Sequence, residues 1–513
     1  MLKSAEVKAA PIVASGDSIF KPTVVLMCGR TVAFGAAFFI PILLARIFTP
    51  EQFGTYKQVF LIYATCYGVV QLGMAESLFY FMPRNRQNAG RYVLNSVIVL
   101  LLVGFSCLGL LVSLENRITV WLNNAYLATY IPLLGANLAF MIASAPLEIA
   151  LVSNKRYRWA AFAYGSDVVR VLSYLIPILI WRDLHALLVG GLIFSVLRFC
   201  GALFYFQREF GSTLRPSWAL LREQFGYALP FELAVLVETM QTNLHQYAVS
   251  HYFDAAAFAI YSVGCLQVPL IEFFASPAGN VMMVLMAEYR REDRTEAIIS
   301  LWHETTRKLF LIFAPLTALL IAIAGNLIPF LFTDQYHASV PIFMVWITAV
   351  ALAALQVDSV LRVFAETRFL FVLHFIRLVF VVALIYLLMP RLGVMGAVLA
   401  TVLAGATAKA IGVWRIKHLM GVRIHRTLPW RDLARISGAS LLACCGPMAV
   451  QSLHLPAFYA LACSGLTYAA IYGALLLKWA LLTSSEKASL WRWLRDHAPT
   501  SLSPRPIRTL SEG

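Results

Sequence analysis

Charge is what this chain has least of. Only 13% of its 513 residues are Asp, Glu, Lys or Arg, whereas soluble domains carry roughly 25%. That shortage excludes a water-solvated globular core, and no stretch between apolar runs is long enough to fold as a separate soluble domain. Long external loops are missing as well: segments 47–55, 181–184, 251–255 and 390–393 have hardly room for a turn. Membrane-embedded glycosyltransferases and polymerases place catalytic carboxylates on such loops, so no enzyme is expected here. Cysteine is absent from the loops. All eight, Cys28, Cys66, Cys107, Cys200, Cys265, Cys444, Cys445 and Cys463, fall inside apolar runs. A disulfide scaffold is thereby excluded, and no Cys/His cluster has metal-ligand spacing. Residues 1–20 scatter Lys3, Glu6, Lys8 and Asp17 among Ala and Val, without the compact apolar run of a cleaved signal peptide.

What the chain has is grease: 60% hydrophobic residues and a mean hydropathy of +0.74. A crossing helix needs about 20 mostly apolar residues. Spans are expected at 22–46, 56–82, 92–113, 126–152, 159–180, 185–207, 225–250, 256–287, 303–325, 338–364, 368–389, 394–414, 434–453 and 457–481, about fourteen in all. The fold class is therefore an all-α polytopic membrane protein. Basic residues gather in alternate loops: Arg84, Arg86 and Arg91; Lys155, Arg156 and Arg158; Arg208, Arg215 and Arg222; Arg290, Arg291 and Arg294; Arg415, Lys417, Arg423, Arg426, Arg431 and Arg435. The positive-inside rule then puts both termini in the cytoplasm. Much of the net charge of +15 is an orientation signal, and nucleic-acid binding is not expected.

An internal repeat organises the spans. Phe48, Phe53 and Tyr56 after the first span recur as Phe253, Phe258 and Tyr261 after the seventh, an offset of about 205 residues that marks a duplicated half. Arg170 and Arg377, and Gly191 and Gly396, follow similar offsets. An even number of helices per unit gives both halves one orientation and a pseudo-twofold axis along the membrane normal. The expected organisation begins with a cytoplasmic tail over 1–21 and an N-lobe of six spans over 22–207. An amphipathic linker at 208–224 leads to a C-lobe of six spans over 225–418. Two extra spans occupy 419–482, and 483–513 forms an interfacial helix and tail, opened by a capping box from Thr483 to Glu486 and carrying Trp491 and Trp493.

Seven basic side chains lie within the apolar segments: Arg30, Lys57, Arg170, Arg198, Arg362, Arg377 and Lys409. Near the bilayer midplane each costs at least about 2.5 to 3.5 kcal/mol unless it faces water or a partner. Lys57, Arg362 and Lys409 are near enough to an interface to snorkel, and Asp358 and Arg362 are spaced for an ion pair at i, i+4. Arg170 and Arg377 sit about 15 to 18 Å into their helices at 1.5 Å per residue, too deep for that. Arg30, Arg170, Arg198 and Arg377 are the candidate cavity cations, with Glu76 as the alternative partner of Arg30. Glu238, Gln241, Thr242 and His245 share one helical face, with Glu232 nearer the cytoplasmic end. Glu272, Ser276 and Asn280 make a second stripe, bracketed by Pro269 and Pro277. Glu232, Glu238, Gln241, His245, Glu272 and Asn280 are the candidates for ion coupling or cavity lining. Packing between helices is the alternative role for these polar groups.

The stretch Leu44-Ala-Arg-Ile-Phe-Thr-Pro-Glu-Gln-Phe-Gly-Thr-Tyr56, with Gln71-Leu-Gly-Met-Ala-Glu76 beyond it, resembles the first hairpin of a known family. That family is the Wzx-type polysaccharide or O-antigen flippases of the multidrug/oligosaccharidyl-lipid/polysaccharide (MOP) exporter superfamily. The resemblance implies a fold like that of the multidrug and toxin extruders (MATE): two six-helix lobes, here with two further C-terminal helices. It implies an undecaprenyl-diphosphate-linked oligosaccharide as substrate, carried across a bacterial inner membrane. Arg30, Arg170, Arg198 and Arg377 would hold the diphosphate. A proton or sodium gradient would supply the energy with no cofactor, and a polysaccharide polymerase and other assembly proteins would be partners. A peptidoglycan-precursor flippase, a multidrug extruder and a non-transporting scaffold of a synthesis complex remain alternatives.

Overall fold

The computed structural model describes residues 38–154, 157–268 and 270–479, together with Gly35, Leu481 and Glu486. Among these residues every regular element is a helix. Ten helices among the described residues are long and apolar enough to cross a membrane, against the fourteen spans expected. Of the span at 22–46, only the helical end Phe38–Ile47 and Gly35 are described. Tyr157–Trp181 is a helix of 25 residues, and Trp218–Tyr252 one of 35. Glu232, Glu238, Gln241 and His245 make the latter too polar to count by composition. The expected eighth span is two helices, Ala255–Gly264 and Leu270–Arg291. The chain leaves the helix ahead of Pro269, which lies outside the described residues, while Pro277 stays inside the second helix.

The chain divides into two compact units. One comprises the described residues up to Val263 with Ile385–Ala397; the other comprises Gly264–Leu384 with the described residues from Val398 onward. In the first unit, the stretch that carries the family resemblance is a helix start. Thr49 is the N-cap of helix Pro50–Val70: its hydroxyl accepts from the Gln52 N–H at 3.4 Å, and the Gln52 side chain accepts from the Thr49 N–H at 3.2 Å. Pro50, with no N–H to leave unsatisfied, fits the first turn. Phe53 and Tyr56 are buried. Gly54 lies against the second copy of the motif, where a Cβ would come within 1.7 Å of the Ala255 carbonyl oxygen. Asp254 caps that second copy by accepting from the Ala257 N–H at 2.8 Å, and Phe258 and Tyr261 are fully buried.

The repeat-related glycines do the same work. Gly191 lets helix Leu184–Phe210 meet Tyr174 of helix Tyr157–Trp181, and Gly396 lets Val394–Leu419 meet the Leu388 backbone of Thr367–Leu392; a Cβ would lie 2.1 Å and 2.6 Å from its neighbour. Small residues at such crossings allow the close backbone approach on which helix packing in lipid depends. An apolar core of Met74, Leu78, Phe81, Tyr92 and Leu138 fills one end of this unit.

The second unit packs around Trp302, fully buried among Met282, Met286, Leu361 and Ile416. Its indole N–H donates to the Thr427 carbonyl at 2.9 Å, fastening the 420–430 loop to helix Thr295–Phe332. Glu486 forms an ion pair with Arg307, which also donates to the Leu481 carbonyl at 2.9 Å. Thr483, the other half of the expected capping box, lies outside the described residues, as do 487–513. Large apolar side chains remain exposed on both units, Leu102, Leu197, Phe204 and Leu466 among them. Lipid is their natural solvent.

Candidate functional site

Each unit holds its own set of intramembrane charges. In the first, three helices bring charge to one place. Arg198 on Leu184–Phe210 forms an ion pair with Glu148, which stands in the first turn of Pro146–Ser153. The Arg198 side chain is only 8% exposed. Arg170, half-buried on Tyr157–Trp181, lies with Arg198 within electrostatic reach of Tyr63 and Tyr67. Those two rings stack on helix Pro50–Val70 with centroids 5.8 Å apart. Two basic groups, Arg170 and Arg198, and two carboxylates, Glu148 and Glu76, surround the paired phenols.

Helix Trp218–Tyr252 runs along Pro50–Val70 and joins it through polar contacts. Asn243 donates to the Thr65 hydroxyl at 2.9 Å, the Tyr247 hydroxyl donates to the same oxygen at 2.9 Å, and Gln58 donates to the Ser250 hydroxyl at 2.8 Å. Interhelical hydrogen bonds of this kind average about 0.6 kcal/mol each. His245 is buried and sits 2.6 Å from the Tyr261 hydroxyl. Glu238 is exposed and Gln241 half-buried, so the stripe read from helical spacing turns two ways. Glu232, lower on the same helix, is 6% exposed and faces Glu76.

In the second unit a cavity of about 390 Å³ is lined by Arg377, His374, Lys409, Asp358, Gln356 and Ser276. Arg377 is half-buried and makes no ion pair among the described residues. Asp358 pairs with Lys409 at 3.6 Å. The expected partner, Arg362, lies one turn along the same helix but is exposed, while Lys409 approaches from Val394–Leu419. A cross-helix contact has replaced the local one, and Lys409 lines the cavity where snorkelling was expected. Asn280 is exposed. Arg30 and the side chains of Asp167 and Glu272 lie outside the described residues.

Sequence reasoning passed over Glu148 and Gln356 and gave Glu76 only a partner's role. Glu148 was detectable as a lone carboxylate in an apolar run beside Pro146. Nothing in the sequence pointed to Gln356.

Helices of this length, with large apolar side chains exposed along them, match known folds. The chain is similar to a structure of the lipid II flippase MurJ in an inward closed conformation, with TM-score 0.67 and 14% identity over 93% of this chain and 100% of that one. It is also similar to an inward-facing MATE family multidrug resistance transporter of the MOP superfamily, with TM-score 0.63 and 14% identity over 78% and 98% of the two chains. A third similar structure is a MOP superfamily transporter from Pyrococcus furiosus, with TM-score 0.53 and 15% identity over 78% and 94%. No curated protein matches the chain. These likenesses give the fold, one that the chain shares with transporter structures of the MOP superfamily. The family described as "Polysaccharide biosynthesis protein" matches residues 43–341, more than half of the chain, and the chain belongs to that family.

Proposed function

We propose that this protein flips a lipid-diphosphate-linked oligosaccharide from the inner to the outer leaflet of a bacterial inner membrane, for assembly of an O-antigen, capsule or exopolysaccharide. An undecaprenyl-diphosphate carrier and an ion gradient as energy source belong to the same reading, as do a polymerase and other assembly proteins as partners. The observation that carries it is the cavity holding Arg377, His374 and Lys409 against Asp358. Guanidinium and ammonium groups at membrane depth are costly, and an anionic cargo offsets that cost when it enters. Arg377 can grip phosphate through two parallel N–H donors. The volume is in the range of small-ligand sites, enough for a diphosphate and its first sugar. Family membership supports polysaccharide as the product.

The test is polymer export by cells carrying Arg377→Ala in place of the native gene. Charge-assisted hydrogen bonds are worth about 1.5 to 3 kcal/mol, so export should fall by roughly tenfold or more at near-normal protein abundance. Arg377→Lys, which keeps the charge and loses the fork, should recover part of it. Full export by the alanine variant would remove the cavity from the transport path.

A further inference from the structure

Helix Pro50–Val70 stops short, and the chain turns through Leu72 and Gly73, both at positive φ (51° and 62°), before Met74–Arg84 begins. Gly73 is pressed against helix Trp218–Tyr252, where a Cβ would lie 2.8 Å from the Ala228 carbonyl oxygen. Glu232 stands one turn beyond Ala228 on the same face, with its carboxylate near the Gly73 backbone. It is 6% exposed, and its Oε1 is buried without a hydrogen-bond partner. Glu76, in the first turn of Met74–Arg84, also has a buried oxygen, Oε2, without a partner. The two carboxylates lie within electrostatic reach of each other.

We propose that Glu76 and Glu232 form a single proton-binding site that senses the coupling gradient; the coupling role rests on the ion-driven flippase reading above. Among the described residues neither carboxylate has a Lys, Arg or His partner. Tyr67 faces Glu76 from Pro50–Val70, and the nearby guanidinium of Arg198 is committed to Glu148. On the helix that carries Glu232, Glu223 is bonded to Tyr92 of Ala89–Ser113 at 3.1 Å. Two like charges, with Glu232 buried and Glu76 half-buried, are poorly screened and repel each other. One proton removes the conflict, because a neutral carboxyl no longer repels the remaining carboxylate. A metal cation fits less well: a hard cation collects about six oxygen ligands, and two unpartnered oxygens are offered. Loss of the proton sets the charges against each other across the Gly73–Ala228 contact, so proton occupancy governs how closely these helices pack.

Infrared difference spectroscopy on the purified full-length protein, titrated with pH, reads the site directly. A protonated-carboxyl C=O band should persist well above the pH of about 4 to 5 where free carboxylates have ionised. Its midpoint should fall in Glu76→Gln and in Glu232→Gln, the band should vanish in the double variant, and the exposed Glu296→Gln should leave it unchanged. No such band in the native protein, or an unmoved midpoint in both single variants, would overturn the site. Loss of the band on exchanging choline for sodium at fixed pH would assign it to the metal ion instead. Flipping of a lipid-linked oligosaccharide in proteoliposomes is scored separately. A normal band with pH-independent flipping defeats the coupling role, whereas a normal band with no flipping by the native protein defeats the transport reading and leaves the site standing.

Discussion

Two buried cations show how one residue type serves opposite ends. Arg198 is 8% exposed and held by Glu148; Arg377 lines an open volume with no ion-pair partner among the described residues. The first should behave as structure and the second as function. Removing one member of a buried pair strands the other charge, at about 3 to 5 kcal/mol. Glu148→Gln should therefore lower the Tm and folded yield of the detergent-solubilised protein. Adding Arg198→Met to it should restore most of the loss, because an apolar replacement of the whole pair is close to neutral. If the single variant is as stable as the native protein, Arg198 is solvated and belongs with the cavity cations. The positions of the cations were legible in the sequence, since a charge stands out in an apolar run. Their partners were not. Asp358 has Arg362 one turn away, yet it pairs with Lys409 from a helix far along the chain, a choice made by packing that helical spacing does not encode.

At the scale of the element, the motif Thr49-Pro-Glu-Gln-Phe-Gly-Thr-Tyr56 divides its work residue by residue. Thr49, Pro50 and Gln52 start a helix, Phe53 and Tyr56 fill the interior, and Gly54 lets the second copy of the motif approach. The capping box and the repeated aromatics could be read from sequence; that the two copies touch could not, because no pattern in either reports its neighbour. Likewise the apolar runs revealed the long helices, while the breaks at 71–73 and before Pro269 come from local backbone geometry within otherwise continuous grease. Gly54→Ala puts a methyl group 1.7 Å from the Ala255 carbonyl oxygen, an overlap that packed helices relieve only by moving apart. Overpacking costs about 1 to 3 kcal/mol or more, and the variant should show a lower Tm. Gly465 is the control: it sits inside helix Ala457–Lys478 with nothing within 4 Å of an added Cβ. Gly465→Ala should be neutral or gain up to about 1 kcal/mol from helix propensity. Equal losses at both positions would show general intolerance of helix changes and no special contact at Gly54.

For the whole molecule the decisive property is direction. The proposed flipping from inner to outer leaflet takes cargo in from the cytoplasmic face, so that reading requires the basic loops to be there. The sequence argues for it: Arg84, Arg86 and Arg91 lie between two spans, Arg290, Arg291 and Arg294 between two others, and Arg415 to Arg435 before the last pair. The intervening turns at 122–126 and 452–456 carry no Lys or Arg. Lysine and arginine near span ends fix orientation because the cytoplasmic side retains them during insertion. Single cysteines introduced into a cysteine-free background read this out. Asn123→Cys and Ser452→Cys should react with a membrane-impermeant maleimide in intact spheroplasts. Arg86→Cys and Arg291→Cys should react only after the membrane is made permeable. The opposite pattern would place the basic loops outside, and with them the entry side for an anionic lipid-linked cargo. Labelling of all four positions from outside would break the alternation of spans itself, and then the duplicated arrangement inferred from Phe48, Phe53 and Tyr56 and their later counterparts would fall with it.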